Sequence, residues 1–198
     1  MVSPFFEKFP YQIILGSGSP RRQQFFKELG IPFTVRLKEV EEVFSTDLKG
    51  KEIPIYLAKR KATAFEDLTG SELLITSDTI VWFKNEALGK ANSAEEASQM
   101  LHRLSGKTHE VITAVCFTTI HEQTIVHDVT KVTFENFDDR EIDFYVSRFK
   151  PFDKAGAYGI QDWIGLIGVK SLEGSYFNVM GLPTHLLYQT LLKFAGQK

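Results

Sequence analysis

Residues 12–30 read QIILGSGSPRRQQFFKELG. Gln12–Leu15 has the apolar, β-branched character of a short buried strand. Gly16 and Gly18 follow, then Ser19, a residue suited to cap a helix, and Pro20, suited to its first turn. Gly30 stands where such a helix would end. A strand turning through glycines directly into a helix is the repeating unit of α/β proteins, so this stretch predicts the fold class. It also has the makings of an anion site. A strand-to-helix turn points backbone N–H groups outward, and glycines let a ligand come close. Arg21 and Arg22 fall in the first helical turn, where the positive end of the helix dipole disfavours cations unless an anion lies between. The planar arginine fork suits phosphate. Ser17, Ser19, Arg21 and Arg22 are therefore candidate phosphate ligands, against the alternative of a solvated helix start. The stretch matches neither GxxxxGK[ST] nor GxGxxG, since Arg21 stands at the third glycine position.

Outward from this unit the alternation continues. Phe33–Leu37 reads as a strand, and a helix is predicted from about Pro54 to Leu68, with Gly70 as its stop. LLITSDTIVWF, residues 73–83, predicts two short buried strands broken near Asp78, followed by a turn at KNEA. Ser93 with Glu96 makes a capping box for a helix to about Leu104, stopped by Gly106. The runs 109–120 and 124–137 predict a long hairpin around His121–Gln123. Asp138 with Glu141 caps a helix to about Phe149, and Pro183 opens a last helix to about Phe194. The glycine-rich stretch from Lys150 to Gly181 has no clear period. Together these elements predict an α/β fold, a mixed sheet flanked by helices with an antiparallel hairpin section. No linker divides the chain, so residues 1–198 read as a single domain with two lobes around a cleft.

Composition narrows the function. The chain has 198 residues, 43% of them hydrophobic, enough for a core. With 23 Lys+Arg against 25 Asp+Glu there is no global field to hold a nucleic acid polymer, so any anion site is local. The single cysteine, Cys116, excludes an internal disulfide and a cysteine-type zinc site, and reads as a small apolar strand residue. No apolar run approaches the ~18 residues of a membrane span, and the first ten residues show no signal-peptide pattern, which points to the cytoplasm. The five histidines show neither HxH nor HExxH spacing; His102 and His109 read as structural. Ser175 lacks a GxSxG elbow.

Four further sets of residues can carry chemistry. In YLAKRKATAF, steps of four place Lys61 between Leu57 and Phe65 on an apolar stripe flanked by Ala58 and Ala62. A lysine there either snorkels or points into a site. Asp78 and Thr79 interrupt a buried strand, a usual place for a metal ligand or base, though an Asx-turn reads equally well. KEVEEVF supplies Glu39, Glu41 and Glu42, a solvated face or a source of one more carboxylate for a hard cation. In DKAGAYGIQD the glycines imply tight backbone, with Lys154 and Gln161 as the polar side chains aimed inward.

The motifs LGSGSPRR, LAKRKA, SDTIV, LGKANS, KAGAYGIQ and EGSYFNVMGLP, in this order, resemble the Maf family of nucleoside triphosphate pyrophosphatases over nearly the whole chain. Gly16, where the family usually has alanine, Ala91, where it has proline, and Ser77, where a smaller residue is usual, are the departures. The resemblance implies an inosine-triphosphate-pyrophosphatase-like fold, a homodimer and a divalent metal, Mg²⁺ or Mn²⁺. It implies hydrolysis of a small-molecule nucleotide substrate to the monophosphate and pyrophosphate. Arg21, Thr79 and Gln161 match the specificity positions of the dTTP/UTP branch rather than those of the branch acting on 7-methyl-GTP. The other class of function compatible with the basic cluster is a non-catalytic nucleotide-binding regulator of cell division, which would not need the carboxylates. On this reading Asp78, Lys61 and Lys90 are catalytic, and Glu42 and Asp78 bind the metal. Ser17, Ser19, Arg21, Arg22, Thr79, Lys154 and Gln161 bind substrate.

Overall fold

A computed structural model describes residues 2–196. Among the described residues, after a 3-10 turn at Pro4–Phe6, seven strands and seven α-helices follow in the order β1 (Gln12–Leu15), α1 (Pro20–Glu28), β2 (Thr34–Val35), α2 (Glu52–Thr63), β3 (Glu72–Phe83), β4 (Glu86–Leu88), α3 (Ala94–Leu104), β5 (Thr108–Thr118), β6 (Gln123–Phe134), α4 (Asp139–Phe149), α5 (Trp163–Gly168), β7 (Val169–Glu173), α6 (Tyr176–Val179) and α7 (Thr184–Phe194). By hydrogen bonding the strands run in the order β2-β1-β3-β5-β6-β7, with β4 also on β3. β1 is parallel to both β2 and β3, whereas β3 is antiparallel to β4 and β6 to β7, so the sheet is mixed as expected.

The chain forms two compact units. One comprises the residues up to Asp78, Thr113–His127 and those from Gly181 on; the other comprises Thr79–Ile112 and Asp128–Met180. The first unit has a core of Ile14, Ala58, Ala62, Phe65, Leu74, Ala114 and Cys116. Gly16 is closely packed there: a Cβ would lie 2.9 Å from Thr76 Cγ2 and 3.2 Å from the Phe65 ring, so an alanine would require the Thr76 side chain to shift. The second unit has a core of its own in which α3 and α4 supply residues at helical spacing, Ala97, Met100, Leu101 and Leu104 from one, Ile142, Tyr145 and Val146 from the other.

Several boundaries differ from the sequence reading. β3 is one strand of 12 residues, not two strands broken at Asp78. Its first part pairs with β1 and its end with β4, so the ladder runs on past the carboxylate. α2 begins at Glu52 and ends at Thr63, five residues before Leu68, because Phe65 turns into the first unit's core. Of the expected 33–37 strand only Thr34–Val35 is regular strand, with Arg36 N–H still donating to the Leu15 carbonyl at 3.2 Å. The KNEA turn is a two-residue hairpin with Lys84 at φ 51° and Asn85 at φ 63°, the geometry of a type I′ turn, and it delivers the unforeseen β4. Ser93 accepts from Glu96 N–H as expected, but the Glu96 carboxylate takes the Asn92 N–H, so that capping box is half formed. The box at Asp138 and Glu141 is complete. Pro183 is the N-cap of α7 rather than its first residue.

Both histidines read as structural are so. His102 bridges Ser98 and Asp139. His109 is buried at 2% exposure with Nε2 2.7 Å from the Tyr158 hydroxyl, and burial pushes it down to about 4. The unfolded chain, with its histidine near 6.5, takes up the proton first, so the stability His109 supplies is complete above that pH and is lost as the pH falls toward 4. The difference amounts to about 3 kcal/mol by pH 4. His109→Gln, which keeps a hydrogen-bonding side chain without the titration, is expected to lose less Tm between pH 7 and about pH 4 than the parent protein. Equal losses in thermal melts would place the acid sensitivity elsewhere.

Candidate functional site

The glycine turn after β1 is braced rather than capped. Ser19 occupies the N-cap position with extended backbone, yet its side chain makes no cap hydrogen bond to α1. Its N–H instead donates to Ser17 Oγ at 3.3 Å. Arg22 donates from Nη1 to the same hydroxyl (3.3 Å) and to the Ser77 carbonyl (3.0 Å), and from Nε to the Gly181 carbonyl (2.9 Å). The arginine thus ties the start of α1 to β3 and to the approach of α7. That bracing role has no signal in the sequence, because its partners lie 55 and 159 residues away.

Lys61 settles between the two readings open for it. It stands on α2 among buried Leu57, Ala58 and Ala62, while Lys59 is exposed. Its Nζ lies 2.5 Å from Asp78 Oδ1 and 2.7 Å from Glu42 Oε1. The lysine is therefore not snorkelling but bridges two carboxylates. Even-numbered residues of β3 face α2: Leu74 packs on Ala58 and Ala62, Thr76 donates to the Ala58 carbonyl at 2.7 Å, and Asp78 meets Lys61. Thr79 lies on the opposite face of the strand by the same alternation.

The electrostatics are graded. The Asp78, Lys61 and Glu42 side chains are 10%, 18% and 40% exposed, so the cluster opens to solvent on the Glu42 side. Burial pushes the Asp78 carboxyl above its usual range, Lys61 and then Arg22 pull it back, and Glu42 adds to the rise. Among the described residues no group of three or more His, Cys, Asp or Glu side chains could hold a metal. Magnesium keeps several of its waters and takes one or two carboxylates, so this pair is the donor set that fits such an ion. Both carboxylates converge on the Lys61 ammonium, which lies between them.

In the second unit Lys90 and Lys154 belong to neighbouring backbone. Lys90 forms an isolated antiparallel bridge with Ala155, and Gly156 N–H donates to the Gly89 carbonyl at 2.9 Å. Lys90 is exposed. Lys154 is 14% exposed at its side chain, with Nζ 2.8 Å from Asp153 Oδ1 and 3.8 Å from Asp162 Oδ2. Gly156 sits at φ 66°, where a Cβ would meet Val81 at 2.9 Å. Gln161 follows two residues after Gly159, whose missing side chain leaves room for it: a Cβ there would lie 2.8 Å from Gln161 Nε2 and 2.6 Å from Asp162 Oδ2. Asp162 and its partner Tyr145 carry no functional signal in the sequence. The DKAGAYGIQD glycines marked the turn, but nothing local marked a tyrosine on a preceding helix.

No helix of the described residues is long and apolar enough to cross a membrane. The model of the family described as Maf-like protein matches residues 12–194. A Flavobacterium johnsoniae protein named dTTP/UTP pyrophosphatase is 57% identical over 182 residues, 91% of this chain and 94% of its own. A Phocaeicola vulgatus protein of the same name is 51% identical over 185 residues, 92% of this chain and 96% of its own. Among solved structures, the Staphylococcus aureus Ham1 protein aligns with a TM-score of 0.51 at 18% identity, covering 94% of this chain and 100% of that one. At that identity the likeness is one of fold, and it agrees with the mixed α/β sheet. With the family's sequence pattern running from the first strand to the last helix, the chain belongs to the Maf-like protein family.

Proposed function

We propose that this chain hydrolyses dTTP and UTP to the nucleoside monophosphate and pyrophosphate, with residues 1–198 working as one catalytic domain. The observation that carries the reading is the Lys61 ammonium held between the Glu42 and Asp78 carboxylates next to the arginine-braced glycine turn. A nucleotide-binding regulator needs the basic residues but has no use for a carboxylate pair gathered on a lysine. The name shared by the Flavobacterium and Phocaeicola relatives supports the same substrates.

The triphosphate carries about four negative charges, so a nearly neutral chain must gather cations locally. Arg21, Arg22, Lys90 and Lys154 are assigned to the phosphates, with Ser17, Ser19 and the amides of the glycine turn. Lys61 sets the charge state of Asp78, and Asp78 orients the attacking water and accepts its proton. Glu42 and Asp78 would hold a divalent cation, which when bound neutralises charge on the phosphates. Gln161, with Thr79, is assigned to the base: uracil and thymine present alternating acceptors and a donor that an amide can pair. Homodimer formation and a cytoplasmic setting belong to the same proposal.

The test is product analysis with dTTP, UTP, ATP and GTP in Mg²⁺, in Mn²⁺ and in EDTA. Pyrophosphate release from dTTP and UTP, dependent on metal and weak with the purines, is expected. Orthophosphate as first product, or full activity of metal-free protein in EDTA, would overturn the assignment.

A further inference from the structure

Asp162 and Gly159 flank Gln161 within two residues, and both are held by the same buried hydroxyl. Tyr145, on α4, is fully buried. Its hydroxyl accepts from Gly159 N–H at 3.0 Å and donates to Asp162 Oδ2 at 2.8 Å. The Asp162 N–H closes the turn on the Gly159 carbonyl at 2.9 Å, and the Asp162 carbonyl accepts from Gly165 N–H at 3.0 Å, which joins the turn to α5. The Asp162 carboxylate and the Gln161 amide both lie over Gly159, within 3 Å of where a Cβ would be. The tyrosine ring is itself fixed, stacked on Phe149 with centroids 5.1 Å apart. Burial and the Asp162 carboxylate push the phenol well above its ordinary range, so it stays a donor at any working pH.

A core needs no hydroxyl at this place; phenylalanine would fill the same space. The hydroxyl instead joins three things that base reading requires to be still: the backbone before Gln161, the residue after it, and, through Asp162, the Lys154 ammonium 3.8 Å away. A free glutamine amide can flip and pair with either uracil or cytosine. We propose that Tyr145 is a positioning residue for pyrimidine selection, its hydroxyl clamping the Gly159–Asp162 turn so that the Gln161 amide presents one face to the base. This rests on the base-reading role given to Gln161 above.

Tyr145→Phe is the direct test, with kcat and KM measured for dTTP, UTP, CTP and GTP beside a thermal melt. KM for dTTP and UTP is expected to rise about tenfold with a smaller change in kcat, and the preference over CTP and GTP to shrink, the effect of one lost hydrogen bond. A purely structural tyrosine would lower Tm and leave the preference alone, and that result would overturn the proposal. Should Tyr145→Phe not fold, Asp162→Asn and Asp162→Ala decide the matter. Asparagine still accepts from the tyrosine and is expected to retain the preference, while alanine is expected to lose it; equal behaviour of the two would overturn the proposal. Gln161→Ala run in parallel separates the two levels. If it flattens the preference and Tyr145→Phe does not, only the clamp fails; if Gln161→Ala leaves the preference intact, base reading by Gln161 fails and the clamp with it.

Discussion

Asp78→Asn is expected to reduce turnover of dTTP by about 10²–10⁴-fold while the protein keeps its fold. The amide is nearly isosteric with the carboxylate, so the packing of β3 against α2 is unchanged. What disappears is the negative charge and, with it, a proton acceptor for water and one of the two oxygen donors for a cation. Folding tolerates the change because Lys61 retains Glu42 at 2.7 Å, on the solvent side of the cluster. The burial that raises the Asp78 carboxyl also makes its charge costly to the native state, so removing it spares that cost. Steady-state pyrophosphate release and a thermal melt on the same sample check both halves. A folded Asp78→Asn protein with wild-type turnover would take Asp78 out of the chemistry.

Lys61→Met separates a lysine that works from one that merely packs. Methionine keeps an unbranched apolar stem on the stripe formed by Leu57, Ala58 and Ala62, so a packing role survives the change. The ammonium does not. Glu42 and Asp78 then face each other without the charge between them, and Asp78, already raised by burial, loses the strongest influence that holds it ionised. Turnover is expected to fall by about 10²–10³-fold, the usual cost of removing one preorganised charge from a reacting centre. The drop should appear in kcat for dTTP and UTP alike, since nothing about Lys61 concerns the base. Wild-type kcat in Lys61→Met would return the residue to the apolar stripe.

Much of this site was legible because its signals are local. The glycine turn and its arginines sit within seven residues of one another, and Lys61 betrayed itself by standing where an apolar residue belongs on a 3.6-residue period. The strand through Asp78 is hidden from such local signals. A carboxylate in a run of buried residues looks like a break, because an unpaired charge inside a sheet is prohibitive. In the structure the strand continues, since the charge is paired with a lysine 17 residues earlier in the chain. The helix end at Thr63 is hidden for a related reason: the apolar period continues through Phe65, and only the core it enters shows that the backbone has already turned.

The sequence by itself determined the α/β class, most of the elements, the glycine turn and the chemistry-bearing residue types, because periodicity, capping pairs and turn residues act over a few positions. Tertiary structure alone decided the pairing. Which carboxylates meet Lys61, that Arg22 braces Ser17, Ser77 and Gly181, and that Tyr145 ties Gly159 to Asp162 all depend on hydrogen bonds between distant segments. Such bonds need atoms within about 3 Å, and a composition or a period says nothing about which distant atoms come that close.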